Sequence, residues 1–182
     1  MLTAELSDEN IMLKVKEGNL SELTVLFERY HVRLFNFFLK LTLDKAASED
    51  LTQSLFYRVI KYRQTYRTEE GNFKTWIYQM GRNVFYDFYK ERQKIAVNFM
   101  DMQVSHETIA DTNETNKEEE LEKLNKALAR LVPDQREMII LSRYQGLKYR
   151  EIAEIKDVSV TAVKVQIHRA LKQLKCFYFN QP

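Results

Sequence analysis

The side chains best suited to bind a ligand are cationic and amide groups near the end of the chain. They are Lys164, Gln166, His168, Arg169 and Lys172. Apolar residues recur among them at three- and four-residue spacing, so a helix would bury an apolar stripe and turn these groups outward. Cationic side chains bind phosphates, while arginine and glutamine also pair with base edges. The pattern predicts a helix that contacts DNA, and the alternative is a helical hairpin with a solvated basic face.

The residues before this helix have the outline of a helix-turn-helix. Ile152 and Ala153 are apolar and then small, as a first helix requires where a second crosses close to it. Asp157 falls at the turn, where a short polar side chain tolerates a left-handed backbone. Ser159 can cap the second helix, whose first turn includes Thr161. In such a module the second helix enters the major groove of DNA.

The sequence offers no arrangement of residues that predicts catalysis. Its three histidines, His31, His106 and His168, are scattered, and no glycine-rich phosphate loop is present. The single cysteine, Cys176, excludes a disulfide framework and a multi-cysteine zinc site, and it fits a reducing cytoplasm. We therefore expect a protein that is not an enzyme, with no metal, no cofactor and no small-molecule substrate.

The composition favours an all-α protein with a cytoplasmic location. Only 4 glycines and 2 prolines interrupt 182 residues, which indicates helices with short connections. The first residues lack the basic start and apolar core of a secretory signal. The apolar stretch at 35–43 is much shorter than the ~20 residues of a membrane span, so we expect no membrane insertion.

Charge is distributed unevenly along the chain, although the net charge is only +2. Residues 99–122 carry eight acids and one base, Lys117, whereas residues 123–182 carry a net charge of +7. A basic C-terminal third suits phosphate contacts, because cationic side chains release counterions from DNA. The acidic segment reads as a solvated linker.

Apolar periodicity predicts four helices before the linker. They are Asp8–Glu17, Leu20–Leu43, a third that Asp44 can cap, and one from about Phe73 to Lys94. The residues expected to face the core of these last three are Leu20, Leu23, Leu26, Phe27, Tyr30, Leu34, Phe37, Phe38, Leu41, Ala47, Leu51, Leu55, Val59, Tyr62, Phe73, Trp76, Ile77, Met80, Val84 and Phe88.

Helical spacing resumes at Lys117 with a leucine repeat that ends at Val132-Pro133, because the residue before proline avoids helical geometry. A further helix opens at Pro133 and stops at Gly146, ahead of the helix-turn-helix. These observations predict two small helical domains, at 1–95 and 117–182, joined by an acidic linker at 96–116.

Two segments together resemble a known family. RLFNFFLKLTLDKAASEDLTQSLFYRVIKY and GNFKTWIYQMGRNVFYDFYKERQ are similar to the second conserved region of bacterial sigma-70 factors. LARLVPDQREMIILSRYQGLKYREIAEIKDVSVTAVKVQIHRALKQL is similar to the fourth. The size and the direct acidic linker resemble the extracytoplasmic-function (ECF) subgroup. The resemblance covers about four fifths of the chain and implies promoter-specific transcription initiation with bacterial core RNA polymerase, typically under an anti-sigma factor.

The resemblance also implies where core polymerase binds. The residues that match the family's acidic and apolar signature are Glu49, Asp50, Leu51, Gln53 and Phe56. In the family this signature contacts a coiled coil of the largest polymerase subunit. The alternative is that the acids only favour a helix N-terminus.

DNA-contacting positions carry over in the same way. For the −10 element they are Tyr66, Asn72, Lys74, Arg82, Asn83, Lys90 and Arg92, and for the −35 element Ser159, Thr161, Lys164, Gln166, His168 and Arg169. The loop from Tyr66 to Asn72 lies where the family captures a base removed from the duplex. Val165-Gln166 and Asp157 depart from the residues common in the family, which affects promoter specificity rather than DNA binding. The remaining alternative is an ordinary helix-turn-helix regulator that binds duplex DNA without polymerase.

Overall fold

The computed structural model describes residues 6–98 and 116–180, and within them every regular element is helical. The α-helices are α1 (Asp8–Lys16), α2 (Leu23–Thr42), α3 (Lys45–Tyr62), α4 (Phe73–Asn98), α5 (Asn116–Ala129), α6 (Pro133–Ile139), α7 (Tyr149–Lys156) and α8 (Val160–Phe179). Short 3₁₀ turns cover Leu20–Glu22, Arg63–Thr65 and Thr68–Glu70, and a π-helical turn at Ile140–Tyr144 continues α6. The all-α fold class is confirmed.

Two compact units make up the chain. One has the bounds Met1–Phe38 with Ala46–Gln103, and the other Leu39–Lys45 with Val104–Pro182. Most of the predicted acidic linker, residues 99–115, lies outside the described residues, and positions 96–98 and 116 belong to α4 and α5. The domain bounds expected from the sequence therefore stay a prediction. None of the described helices combines the length and hydropathy that crossing a bilayer requires.

The core of the first unit follows the predicted stripes, except that three predicted core residues are exposed and three others, Trp76, Met80 and Phe88, are half-buried. Leu20, Phe27 and Tyr62 were expected inside, but they are 45%, 42% and 43% exposed. Leu20 lies in a 3₁₀ turn before α2 begins, so its phase differs from that of the helix. Phe27 lies at the edge of the stripe and stacks on the ring of His31, with 4.8 Å between ring centroids. Tyr62 is the last residue of α3.

Local residue signals set the helix boundaries in the second unit. Pro133 opens α6 after an extended Val132, as the sequence predicts. Gly146 has a φ of +63°, a backbone conformation that glycine adopts without strain. The side chain of Arg136 donates to the carbonyl oxygens of Leu128 and Ala129, which lie in the last turn of α5.

A buried ion pair joins α7 to α6. The Lys156 ammonium lies 2.8 Å from a carboxylate oxygen of Glu137, and these side chains are 4% and 0% exposed. Lys156 also contacts Asp134. The sequence analysis missed this cluster, because nothing in the periodicity marks a charged residue at a core position. It holds the first helix of the helix-turn-helix in place.

Candidate nucleic-acid interface

The turn of the helix-turn-helix is formed as the sequence predicts. Asp157 ends α7 with φ 53° and ψ 51°, which is the left-handed region. Ser159 then caps α8, since its hydroxyl oxygen accepts the Ala162 N–H at 3.1 Å. Val163, Ile167 and Ala170 are buried and fix the rotation of α8 about its axis.

That rotation leaves exposed a face of α8 that carries three cations. The exposed side chains along it are Thr161, Lys164, Val165, His168, Arg169 and Lys172. Gln166 does not share this face: it is half-buried, and its Oε1 atom is buried with no hydrogen-bond partner among the described residues. The outward orientation expected for Gln166 is therefore wrong. Position 166 follows Val163 by three residues and precedes Ala170 by four, which places it beside the buried stripe.

The residues of α3 that were predicted to bind core polymerase divide into a surface group and a core group. Glu49, Asp50 and Gln53 are exposed, whereas Leu51 and Phe56 are only 5% and 7% exposed. Phe56 packs against Phe27 with 4.8 Å between ring centroids. The two apolar residues are thus part of the core, and in this structure they hold α3 rather than reach a partner.

Tyr66, expected at the surface of the loop, is fully buried. Its ring packs edge-on against Trp76 at 5.3 Å and against Phe73 at 6.1 Å. Burial raises the pKa of its phenol to about 12, and the hydroxyl has no hydrogen-bond partner among the described residues. In this conformation the ring packs in the core and supports the loop, so contact of Tyr66 with a DNA base stays a prediction.

Asn72 is exposed and caps α4. Its Oδ1 accepts the Thr75 N–H at 2.8 Å, which fixes the orientation of the amide. The amide nitrogen of Asn72 can donate to a ligand.

A surface cavity lies where the end of α3 meets α4. It has a volume of about 320 Å³ and is lined by Arg58, Tyr62, Thr65, Trp76, Gln79, Met80 and Asn83. Arg58 is oriented by an ion pair with Asp87 at 2.8 Å. Two aromatic rings, two amides and a guanidinium around one cavity are suited to stack and hydrogen-bond a planar polar group such as a nucleobase.

Sequence reasoning identified Asn83 but missed the other lining residues. Gln79 and Met80 lie three and four residues after Trp76, and Asn83 lies three and four residues after them, which is the spacing of a single helix face, and that signal was available. Thr65 comes from a different segment, and no local pattern marks it.

The cations predicted on α4 do not form one cluster. At 100° per residue, Lys90 shares the face of Asn83, whereas Arg82 is turned by about 100°. Lys74 and Arg92 lie about half a turn away, near opposite ends of the helix. Two of these cations contact aromatic rings: the Arg82 guanidinium is 4.9 Å from the Tyr86 centroid, and the Arg92 guanidinium is 5.2 Å from that of Phe88.

The geometry defines a helix-turn-helix protein with a second helical unit that carries its own cavity. Comparison with known proteins narrows the class. The family model for sigma-70 region 2 matches residues 26–95, and the model for sigma-70 region 4 matches residues 121–174. The chain is 31% identical to the ECF RNA polymerase sigma factor SigX of Bacillus subtilis, over 83% of this chain and 80% of that protein. It is 28% identical to SigM of the same organism, over 84% of this chain and 93% of that protein.

Solved structures share the fold. The sigma factor RpoE of Bartonella quintana, solved with the anti-sigma factor NepR, has a TM-score of 0.73 at 23% identity and covers 88% of this chain and 99% of its own. CnrH, solved with the cytosolic domain of CnrY, has a TM-score of 0.73 at 20% identity and covers 96% of this chain and 99% of its own. This chain belongs to the sigma-70 family, among the ECF RNA polymerase sigma factors.

Proposed function

We propose that this chain brings bacterial core RNA polymerase to promoters through three separate surfaces and catalyses no reaction itself. The observation that carries the proposal is that one chain combines region 2 with region 4, and each presents an exposed polar face. Contacts made only to opened DNA shift the equilibrium from closed to open promoter, so binding energy alone is sufficient. The work takes place in the bacterial cytoplasm, where transcription occurs.

The exposed face of α8 binds the −35 duplex. Arg169 is the residue for base recognition, because a guanidinium can donate two hydrogen bonds to guanine. Lys164, His168 and Lys172 supply phosphate contacts from the same face. Ser159 and Thr161, at the N-terminus of α8, lie where backbone N–H groups also favour an anion.

The cavity between α3 and α4 holds an unpaired base of the −10 element. Removing a base from the duplex costs stacking energy, and an aromatic site offsets part of that cost. Trp76 and Tyr62 supply the rings, while Asn83 and Gln79 supply amides that donate and accept. Asn72, at the end of the loop before α4, adds a hydrogen-bond donor. Lys90 lies on the same side of α4 and suits a phosphate.

The exposed acids of α3 bind core polymerase. Glu49, Asp50 and Gln53 present two carboxylates and an amide within little more than one helical turn. Their complementary partner is a basic helical surface, as the family's coiled-coil contact implies.

We also propose an anti-sigma factor as the inhibitor. Support comes from the family and from the likeness in fold to an RpoE that was solved with an anti-sigma factor. Such a partner needs only to cover the α3 and α8 faces to block initiation.

Charge reversal on α3 tests the polymerase assignment. Asp50→Arg should weaken core binding by about 10- to 100-fold, since it places like charges together at the interface. Glu17→Arg makes the same change in charge at an exposed position outside α3. A pull-down of full-length variants with core polymerase measures both. Equal binding by the Asp50 variant and the wild type would remove the assignment of this face. Retained binding of duplex DNA by a protein that does not bind core would favour the ordinary regulator.

A further inference from the structure

Helix α1 lies outside both matched segments, yet it is firmly held in the first unit. Ile11, Met12 and Val15 are each no more than 1% exposed. Near its N-terminus, Asp8 accepts a hydrogen bond from the Arg29 guanidinium at 2.6 Å and another from the Tyr30 hydroxyl, both on α2. The N-terminal end of α1 is therefore anchored to α2.

The C-terminal end of α1 makes two hydrogen bonds to the loop between α3 and α4. The Lys16 ammonium donates to the Tyr66 carbonyl oxygen at 2.8 Å. The Gln64 amide donates in return to the Lys16 carbonyl oxygen, also at 2.8 Å. These partners are 50 and 48 positions apart in sequence, so the contacts are tertiary and not part of a local turn.

A third contact joins α1 to the start of α4. A carboxylate oxygen of Glu9 accepts the Phe73 N–H at 3.1 Å. The same turn of α4 is capped by Asn72 through the Thr75 N–H. One helix thus fixes both ends of the loop, at 64–66 and at 73.

Thr65 lies between the two loop residues that α1 holds, and it lines the cavity between α3 and α4. Its neighbour Tyr66 packs against Trp76, which lines the same cavity. Release of Lys16 and Gln64 would let Thr65 and Tyr66 shift, and the cavity would lose its defined wall.

We propose that α1 is a positioning element for the −10 cavity, and that Lys16 supports capture of the unpaired base without touching DNA. The inference rests on the proposed −10 function of this cavity. It assigns a role to a helix that the family models do not include.

The test compares two lysines of α1. Lys16→Met removes the loop contact, whereas Lys14→Met removes the same charge from a lysine that pairs with Glu22 at 3.2 Å. Full-length variants are assembled with core polymerase, and two affinities are measured: one for a single-stranded −10 oligonucleotide and one for a −35 duplex. We expect Lys16→Met to lose about tenfold on the single strand, since a hydrogen bond from a charged donor contributes roughly that factor. The −35 duplex affinity stays within about twofold.

Three further measurements separate positioning from the alternatives. Lys16→Arg keeps a charged donor and should restore binding, while Gln64→Ala should reproduce the selective loss without a change in charge. A lysine that contacted phosphate directly would lower the salt slope of binding by about 1 when removed, whereas a positioning lysine leaves it unchanged.

Several outcomes would overturn the inference. They are wild-type affinity in Lys16→Met, an equal loss in Lys14→Met, or a reduced salt slope. Circular dichroism monitors folding, and if Lys16→Met unfolds, the Gln64→Ala result decides. A wild-type complex that does not bind the −10 strand refutes the −10 function itself. If the wild type binds the strand, and Lys16→Met and Gln64→Ala bind it equally well, only the role of α1 is refuted.

Discussion

The two proposed DNA-binding surfaces are built in different ways. The turn and cap that begin α8 depend on contacts between near neighbours: Ser159 caps a residue three positions away, and Asp157 supplies the left-handed turn. The buried stripe of α8 then packs on α5 and α6, where Ala170 shares a core cluster with Leu128 and Ile139. The cavity of the first unit depends on contacts that span about fifty positions, from Lys16 to Tyr66 and Gln64. A duplex-reading helix needs only to be rigid and rotated correctly, whereas a cavity for an unpaired base needs several segments held together.

This difference predicts that the two units respond differently to substitution. Changes on the α8 face should act on one contact at a time, because each exposed side chain stands on a helix fixed by its own buried stripe. A substitution around the cavity should disturb several contacts at once, because the cavity walls come from α3, the loop and α4.

The largest effect is expected from the buried lysine of the second unit. Lys156→Met leaves the fully buried Glu137 without its ammonium, and breaking a buried ion pair in this way costs about 3–5 kcal/mol. Trp76, the only tryptophan, reports on the first unit, while circular dichroism reports on both. In a denaturant titration, part of the circular dichroism signal should be lost at a lower denaturant concentration than in the wild type, while the midpoint of the Trp76 fluorescence transition stays the same. A shifted Trp76 transition would contradict the separate response of the two units.

Recognition by α8 should be weakened next. Arg169→Ala is expected to cost about 1–3 kcal/mol on the −35 element and much less on sequences with a substituted base. Competition binding with single-base variants of the −35 duplex measures this difference. An equal loss on every sequence would make Arg169 a phosphate contact.

A smaller effect is expected at Gln166. Its Oε1 is buried and makes no hydrogen bond within the described part of the chain. Gln166→Met therefore removes a desolvated acceptor and keeps a side chain of similar shape. The free energy of unfolding should stay the same or rise by about 1 kcal/mol, and −35 affinity should change less than about twofold. A loss of 1–3 kcal/mol confined to one adenine position would instead show that Gln166 reads a base.

The smallest effect is expected at Tyr66. Tyr66→Phe keeps the packing against Trp76 and removes a buried hydroxyl without a described partner, so stability at pH 7 should change by less than about 1 kcal/mol. The difference appears at high pH. The folded pKa of about 12 lies above the ordinary value of 10.0, so the unfolded chain loses its proton first.

The wild type therefore loses stability as pH rises from 10 towards 12, at up to about 1.4 kcal/mol per pH unit from this group, and Tyr66→Phe lacks this loss. Urea titrations of both proteins at pH 9, 10 and 11 make the comparison. Parallel stability curves would show that Tyr66 ionises as readily in the folded protein as in the unfolded chain.

The same contrast explains what the sequence could predict. The turn at Asp157, the cap at Ser159 and the buried stripe of α8 are local signals, and the structure confirms them. Gln166 was misplaced because it lies at the border of the stripe, where periodicity alone does not separate an inward from an outward side chain.

Burial of Tyr66 follows from the packing of its loop over α4 and against α1, which a residue pattern does not reveal. Leu51 and Phe56 both belong to a binding signature and both contribute to the core, which the apolar stripe predicted for Leu51 but not for Phe56. Thr65 could not be found at all, since it reaches the cavity only through tertiary contacts.

The central claim is that this chain acts with core polymerase and not alone on DNA. The direct test is a pull-down of the full-length protein with bacterial core RNA polymerase, followed by run-off transcription from a library of genomic fragments. We expect stable core binding and initiation at a discrete set of promoters that share −35 and −10 elements. Duplex DNA binding without core binding, and no added transcripts, would contradict the claim and leave an ordinary helix-turn-helix regulator.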